Sequence, residues 1–149
     1  MLVGEYDLSL DEKGRLSVPA GLRHILQELY GPEDGSLLFI TRYFENCLVV
    51  YPKPVWMDIQ EQVNELPNDA KSRSFTRSFY SSASMLNLDR QGRMLIPQKL
   101  RQCAGIGAEA HMVGVGRKLE LWSPTRWEAY EANQPADFES HEQIAALKL

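Results

Sequence analysis

Thirteen residues occur twice in this chain, and that repeat limits the fold more than any other feature. Asp11-Glu-Lys-Gly-Arg-Leu-Ser-Val-Pro-Ala-Gly-Leu-Arg23 returns 78 positions later as Asp89-Arg-Gln-Gly-Arg-Met-Leu-Ile-Pro-Gln-Lys-Leu-Arg101. Six positions are identical without a gap: Asp11/Asp89, Gly14/Gly92, Arg15/Arg93, Pro19/Pro97, Leu22/Leu100 and Arg23/Arg101. Leu16/Met94 and Val18/Ile96 are apolar in both copies. A repeat of this kind signals two copies of one structural unit.

Each copy has a readable physics. Asp-x-x-Gly is turn chemistry: the carboxylate accepts from backbone N–H groups ahead of it, and Gly supplies a positive φ. Leu8 and Leu10 alternate with polar residues before the first turn, and Leu16 and Val18 after it; Leu86, Leu88, Met94 and Ile96 repeat the pattern. Alternation of period two predicts strands, so each copy is expected to be a β-hairpin with a short Gly-bearing loop. Pro19 and Pro97 then open helices, where a missing N–H costs least. Leu22, Ile25, Leu26 and Leu29 form one apolar helical face, which Gly31-Pro32 ends.

The duplication extends further. Apolar runs at 37–41 and 48–51 predict a second hairpin with a polar turn near Glu45-Asn46. Leu48-Val-Val-Tyr-Pro-Lys-Pro-Val-Trp56 aligns with Leu119-Glu-Leu-Trp-Ser-Pro-Thr-Arg-Trp127 at an offset of 71. The first unit therefore holds seven extra residues, most naturally in the loop at 31–35. Helices are expected over 54–66, with Trp56, Ile59, Val63 and Leu66 on one side, and over 70–82, burying Phe75 and Phe79. Asn68 or Asp69 caps the second of these, and Ser123-Pro124 opens a last helix through Tyr130. The expected organisation is unit 1 at 5–52, a helical linker at 53–82, unit 2 at 83–126, and a C-terminal helix with acidic tail at 127–149. A lone two-stranded hairpin is marginal in water, so the two units should pair about a pseudo-twofold axis in an α+β fold.

Charge is unevenly placed. The net charge is −4, but residues 128–149 carry five acidic side chains against Lys148, whereas residues 70–108 carry seven basic ones against Asp89 alone. A local basic face supplies the electrostatics of phosphate binding that whole-chain charge hides; a solvated helix face would show the same run. The start Met-Leu-Val-Gly-Glu lacks the regions of a signal peptide, and a cytoplasmic location with Cys47 and Cys103 as free thiols is expected.

The unit of strand, Asp-x-x-Gly turn, Arg-led strand, Pro and helix resembles the SpoVT-AbrB type of DNA-binding hairpin. Two such units in a chain of this length resemble the MraZ family of bacterial transcriptional regulators. Asp11-Glu-Lys-Gly-Arg-Leu-Ser-Val-Pro and Asp89-Arg-Gln-Gly-Arg-Met-Leu-Ile-Pro carry the likeness, both with Asp-x-x-x-Arg spacing. It covers both units and the linker and thins after about Tyr130. The resemblance implies an AbrB-like fold whose two hairpin units form a small barrel-like sheet with flanking helices. It also implies a DNA-binding repressor of the division and cell-wall gene cluster, its own promoter included. Such a regulator binds tandem promoter repeats as a ring-like homo-oligomer, is cytoplasmic and nucleoid-associated, and uses no cofactor or metal.

Arg15 and Arg93 follow directly after the turn glycines. A β-ribbon fits the major groove, and Arg reads guanine O6 and N7 with two parallel bonds. An Asp11–Arg15 or Asp89–Arg93 ion pair clamping the turn would use the same residues, and the two roles are compatible. Asp11, Gly14, Asp89 and Gly92 are the turn formers, and Lys13 and Arg90 add phosphate-binding charge beside them. Glu12 corresponds to Arg90, so the second turn should be the stronger contact. Arg23 and Arg101 could reach phosphates or a carboxylate at a subunit contact, and Lys99 is a further candidate for phosphate.

AbrB-like hairpins also serve as antitoxin dimerisation modules, which makes a protein-interaction module the second reading, with the tail at 134–149 on its partner. Enzyme motifs fail. His24, His111 and His141 lie in unrelated contexts without ligand spacing, and neither a Gly-x-Ser-x-Gly nor a P-loop pattern occurs. Gly105-x-Gly107-x-x-Ala110 follows a helix and precedes a strand, the reverse of a dinucleotide fingerprint. Trp56 and Trp127 correspond to each other, and core packing explains both.

Overall fold

Strand pairing in this chain runs largely between elements that the sequence keeps apart. The structure, a computed structural model, describes residues 1–135 and 137–149. Its elements are β1 (Glu5–Ser9), β2 (Arg15–Ser17), α1 (Ala20–Asp34), β3 (Leu37–Arg42), β4 (Leu48–Pro52), α2 (Lys53–Asn64) and α3 (Ala70–Ser81). There follow β5 (Ser84–Asn87), β6 (Arg93–Leu95), α4 (Gln98–Ala104), β7 (Glu109–Val115), β8 (Lys118–Trp122), α5 (Pro124–Ala132) and α6 (Glu142–Ala145). Six strands form one antiparallel sheet in the order β1-β7-β8-β4-β3-β5, and β2 and β6 form a separate two-stranded ribbon.

Two expectations change here. The Asp-x-x-Gly segments are turns, but the arms on either side do not stay together as hairpins. After a single bridge, Leu10↔Leu16, β1 leaves β2 and pairs with β7 (Leu8↔Ala110). β5 likewise pairs with β3 (Leu86↔Leu38), while β2 and β6 pair with each other (Leu16↔Met94). The exchange has a physical cause: a three-residue arm held only by its own copy buries almost nothing, whereas the shared ribbon places Leu16 and Met94 at 0 % exposure. The large sheet is also open, ending at β1 and β5, and does not close as a barrel.

The registers are reciprocal, as a twofold relation requires. Arg15 faces Leu95 and Ser17 faces Arg93, about the central pair Leu16↔Met94. Leu48 faces Leu121 and Val50 faces Leu119, about Val49↔Glu120. The predicted β3–β4 hairpin forms with Ile40↔Val50 opposed, turning through Phe44–Asn46, where Glu45 and Asn46 take φ of 55° and 61°. The main core draws Leu16, Leu22 and Leu38 from one copy and Met94, Leu100 and Met112 from the other.

The helices follow their sequence signals with small departures. Gly31, at φ 83°, breaks α1 where expected, but Leu29 is 51 % exposed, so the apolar face stops a turn early. Asp69 caps α3, accepting from Ser72 N–H at 2.8 Å. Phe79 is buried, whereas Phe75 and Leu66 stand 36 % and 41 % exposed at a groove edge. Under α2 and α3, Trp56 stacks between Phe39 at 5.1 Å and Phe79 at 5.3 Å. On the other copy Trp127 stacks on His111 at 5.1 Å, and among the described residues no helix corresponding to α3 covers it. Cys47 and Cys103 are unpaired, and burial pushes the Cys47 thiol up to about 12. Among the described residues no helix is long and apolar enough to cross a membrane.

Candidate nucleic-acid interface

The two turns are built bond for bond alike. Asp11 N–H donates to Arg15 O at 2.9 Å, and Gly14 N–H to Asp11 O at 2.9 Å. Asp11 Oδ1 accepts from the N–H groups of Lys13 and Arg15, each at 2.9 Å, and Oδ2 accepts from Arg15 Nε at 2.6 Å. In the second turn Asp89 Oδ1 accepts from Gln91 and Arg93 N–H at 2.9 Å, and Oδ2 from Arg93 Nε at 2.8 Å. Gly14 and Gly92 hold φ of 83° and 74°, where a side chain would be strained. The N–H of Arg15, then its side chain, holds the Asp11 carboxyl below the usual carboxylate value, and Arg93 does the same to Asp89. The expected ion pairs are therefore present, and they orient the arginines. With Nε committed to its own Asp, the two Nη groups of each guanidinium make no hydrogen bond among the described residues and form the edge that can grip guanine end-on.

The ribbon brings the two turns side by side. Val18 N–H donates to Gly92 O and Ile96 N–H to Gly14 O, both at 3.0 Å, so each copy's strand end is tied to the other copy's turn. Arg93 Nη1 also lies 3.9 Å from Asp11 Oδ2. Leu16 and Met94 point inward; Arg15, Ser17, Arg93 and Leu95 point outward. Ser17 and Leu95 were missed as candidates, although the alternation that buries Leu16 and Met94 forces them out. Leu95, 53 % exposed, stands directly across from Arg15.

Arg23 and Arg101 brace this arrangement. Arg23 Nε donates to Val18 O at 3.0 Å, and Arg101 Nε to Ile96 O at 3.1 Å. A Cβ placed on Gly92 would meet Arg23 Cζ at 2.5 Å, and one on Gly14 would meet Arg101 Cζ at 2.7 Å. Each guanidinium thus lies against the opposite copy's turn, a contact only glycine permits. Lys13 and Arg90 are exposed in the turns, and Lys99 is exposed on the first turn of α4. Among the described residues none of these three has a carboxylate within 4.0 Å. The turn end therefore gathers Lys13, Arg15, Arg23, Arg90, Arg93, Lys99 and Arg101 against Asp11, Glu12 and Asp89. Among the described residues no group of three His, Cys, Asp or Glu is placed to hold a metal ion.

Comparison with known proteins agrees with the doubled turn. A family model described as "MraZ protein, putative antitoxin-like" matches twice, over residues 1–78 and 79–149. The chain belongs to the MraZ family. MraZ relatives align over most of their length. Transcriptional regulator MraZ of Syntrophomonas wolfei subsp. wolfei is 40% identical over 140 residues, 93% of this chain and 92% of that protein. Transcriptional regulator MraZ of Deinococcus radiodurans is 44% identical over 130 residues, 87% of this chain and 86% of that one. Transcriptional regulator MraZ of Acetivibrio thermocellus is 34% identical over 151 residues, all of both chains. Among solved structures, the solution structure of PHS018 from Pyrococcus horikoshii aligns with 81% of this chain and 88% of that one, at 17% identity and a TM-score of 0.34.

Proposed function

We propose that this chain is a sequence-specific DNA-binding transcriptional regulator whose β2–β6 ribbon enters the major groove. The observation that carries the reading is the pair of arginines, Arg15 and Arg93, on one outward face, each held by its own turn aspartate. A two-stranded ribbon fits a groove about 12 Å wide, and a buttressed guanidinium offers guanine two parallel bonds. Leu95 and Ser17 stand beside the arginines and meet neighbouring base edges, Leu95 being suited to a thymine methyl. Lys13, Arg90 and Lys99 hold phosphates at the rim, and Arg23 and Arg101 fix the turns while adding positive charge. The relatives' names agree with this reading.

One ribbon makes few contacts, and the whole chain is acidic. Affinity then depends on several ribbons acting together, since linkage raises effective concentration. A homo-oligomer binding tandem promoter repeats about one helical turn apart, roughly 10–10.5 bp, meets that need. The expected target is the promoter of the division and cell-wall cluster that includes the chain's own gene, and the expected effect is repression. A salt titration of binding to that promoter and to a scrambled duplex of equal length tests the reading. Tight, promoter-selective binding that weakens steeply with salt is expected. Equal, weak binding to both duplexes would overturn it.

A further inference from the structure

Two unpartnered surfaces of this chain complement each other. The first is an open apolar groove where the β3–β4 turn meets α2 and α3. Phe44 (58 % exposed), Phe75 and Leu66 line it beside Ile59, around a cavity of about 240 Å³. Arginines flank it: Arg42 lines the adjoining cavity on one side, and Arg73 and Arg77 line the adjoining cavity between α2 and α3, while exposed Glu45 and Glu65 adjoin the lining residues Phe44 and Leu66 in sequence. Among the described residues none of the three arginines lies within 4.0 Å of a carboxylate. Arg73 donates instead to Asn68.

The second surface is the segment 137–149. It carries Asp137, Glu139 and Glu142, and it exposes Phe138 (54 %), Ile144 and Leu147 (57 %) to solvent. Its hydrogen bonds close within itself, from Ser140 to Asp137 and from Ile144 and Ala145 to His141. Acidic groups interleaved with unburied apolar ones suit an aromatic groove flanked by Arg42, Arg73 and Arg77, because the apolar side chains gain burial and the arginines steer and fix register. The chain's own segment leaves from α5, which packs on β7, whereas the groove lies on α2 and α3.

We propose that residues 137–149 of one copy dock in the groove of a second copy. The contact joins two different surfaces, so it is head-to-tail and generates a ring when its rotation closes. It rests on the self-assembly in the function proposed above, though not on DNA recognition.

Charge reversal in the full chain tests it. Arg73→Glu with Arg77→Glu makes groove and tail both acidic; Glu139→Lys with Glu142→Lys makes both basic. All four residues are exposed, so both variants should fold, which circular dichroism checks. Light scattering at low salt should show each variant alone falling toward the mass of a single chain. An equimolar mixture should regain the wild-type mass, because every groove then meets a complementary tail on the other variant. A tail docked within its own chain could not be rescued by mixing. Either variant keeping wild-type mass, or a mixture that stays small, would overturn the proposal. Truncation after Pro135 gives an independent reading: loss of mass is expected, and retained mass would overturn the contact. A monomeric wild-type chain would contradict self-assembly itself. A full-size wild-type assembly that fails to select the promoter would contradict only the DNA reading.

Discussion

Asp11 and Asp89 each perform three tasks with one carboxylate: Oδ1 closes the turn on two N–H groups, Oδ2 holds the arginine Nε, and the charge anchors both. Hydrogen bonding to the charged form lowers a carboxyl pKa. The folded values lie below the ordinary 3.8, so the turn's contribution is fully present above 3.8 and is lost as pH falls through the folded values. A carbon-detected NMR titration should find both side-chain carboxyl midpoints below 3.8; midpoints at or above that value would mean the turn bonds are absent in solution. Gly14 and Gly92 are fixed by backbone and by neighbour, since a Cβ would demand a strained φ and also strike Arg101 or Arg23. Gly92→Ala should cost on the order of 1–3 kcal/mol in urea unfolding. Leu95 has a test that leaves the protein untouched. Replacing operator thymine by uracil deletes the methyl; the wild-type chain should bind the uracil duplex more weakly, while Leu95→Ala should bind the two duplexes equally. Unchanged wild-type affinity at every thymine would remove Leu95 from base reading.

At the scale of elements, the β2–β6 ribbon is short but deeply seated. Leu16 and Met94 face each other at 0 % exposure under it. Leu16→Ala should therefore cost about 2–5 kcal/mol, a core-sized penalty. A cost below about 0.5 kcal/mol, the usual size of a surface substitution, would mean the ribbon is peripheral. The sequence shows which residues of β2 and β6 face inward, and the turns between strands are equally legible from Asp-x-x-Gly. The partner of each strand is not, because alternation fixes a face and says nothing of which strand lies alongside. For that reason the expected hairpins became an exchanged ribbon, and the expected barrel became an open sheet. Arg23 and Arg101 show the same limit. Their repetition marks them, but their seat against the opposite copy's glycine exists only once the two copies are packed. Trp56 and Trp127 differ for a related reason: they occupy corresponding places, yet among the described residues only the first lies beneath a helix like α3.

At the scale of the whole molecule, one core holds both copies, and the outward face of the ribbon belongs to neither alone. Arg15 comes from the first copy and Arg93 from the second, and their strands pair with each other along their length. The charge distribution suits that plan, with basic groups gathered at the turns and acidic ones at the C-terminal end. The most direct test of the account is the affinity of an Arg15→Ala, Arg93→Ala double variant for the promoter duplex, measured against wild type at matched salt. Each bidentate Arg–guanine contact is worth about 1–3 kcal/mol of discrimination. The double variant should therefore lose promoter selectivity while keeping its fold and its assembly mass. Wild-type promoter affinity in that variant would show that the paired arginines only clamp their turns, and the ribbon would not be the surface that reads DNA.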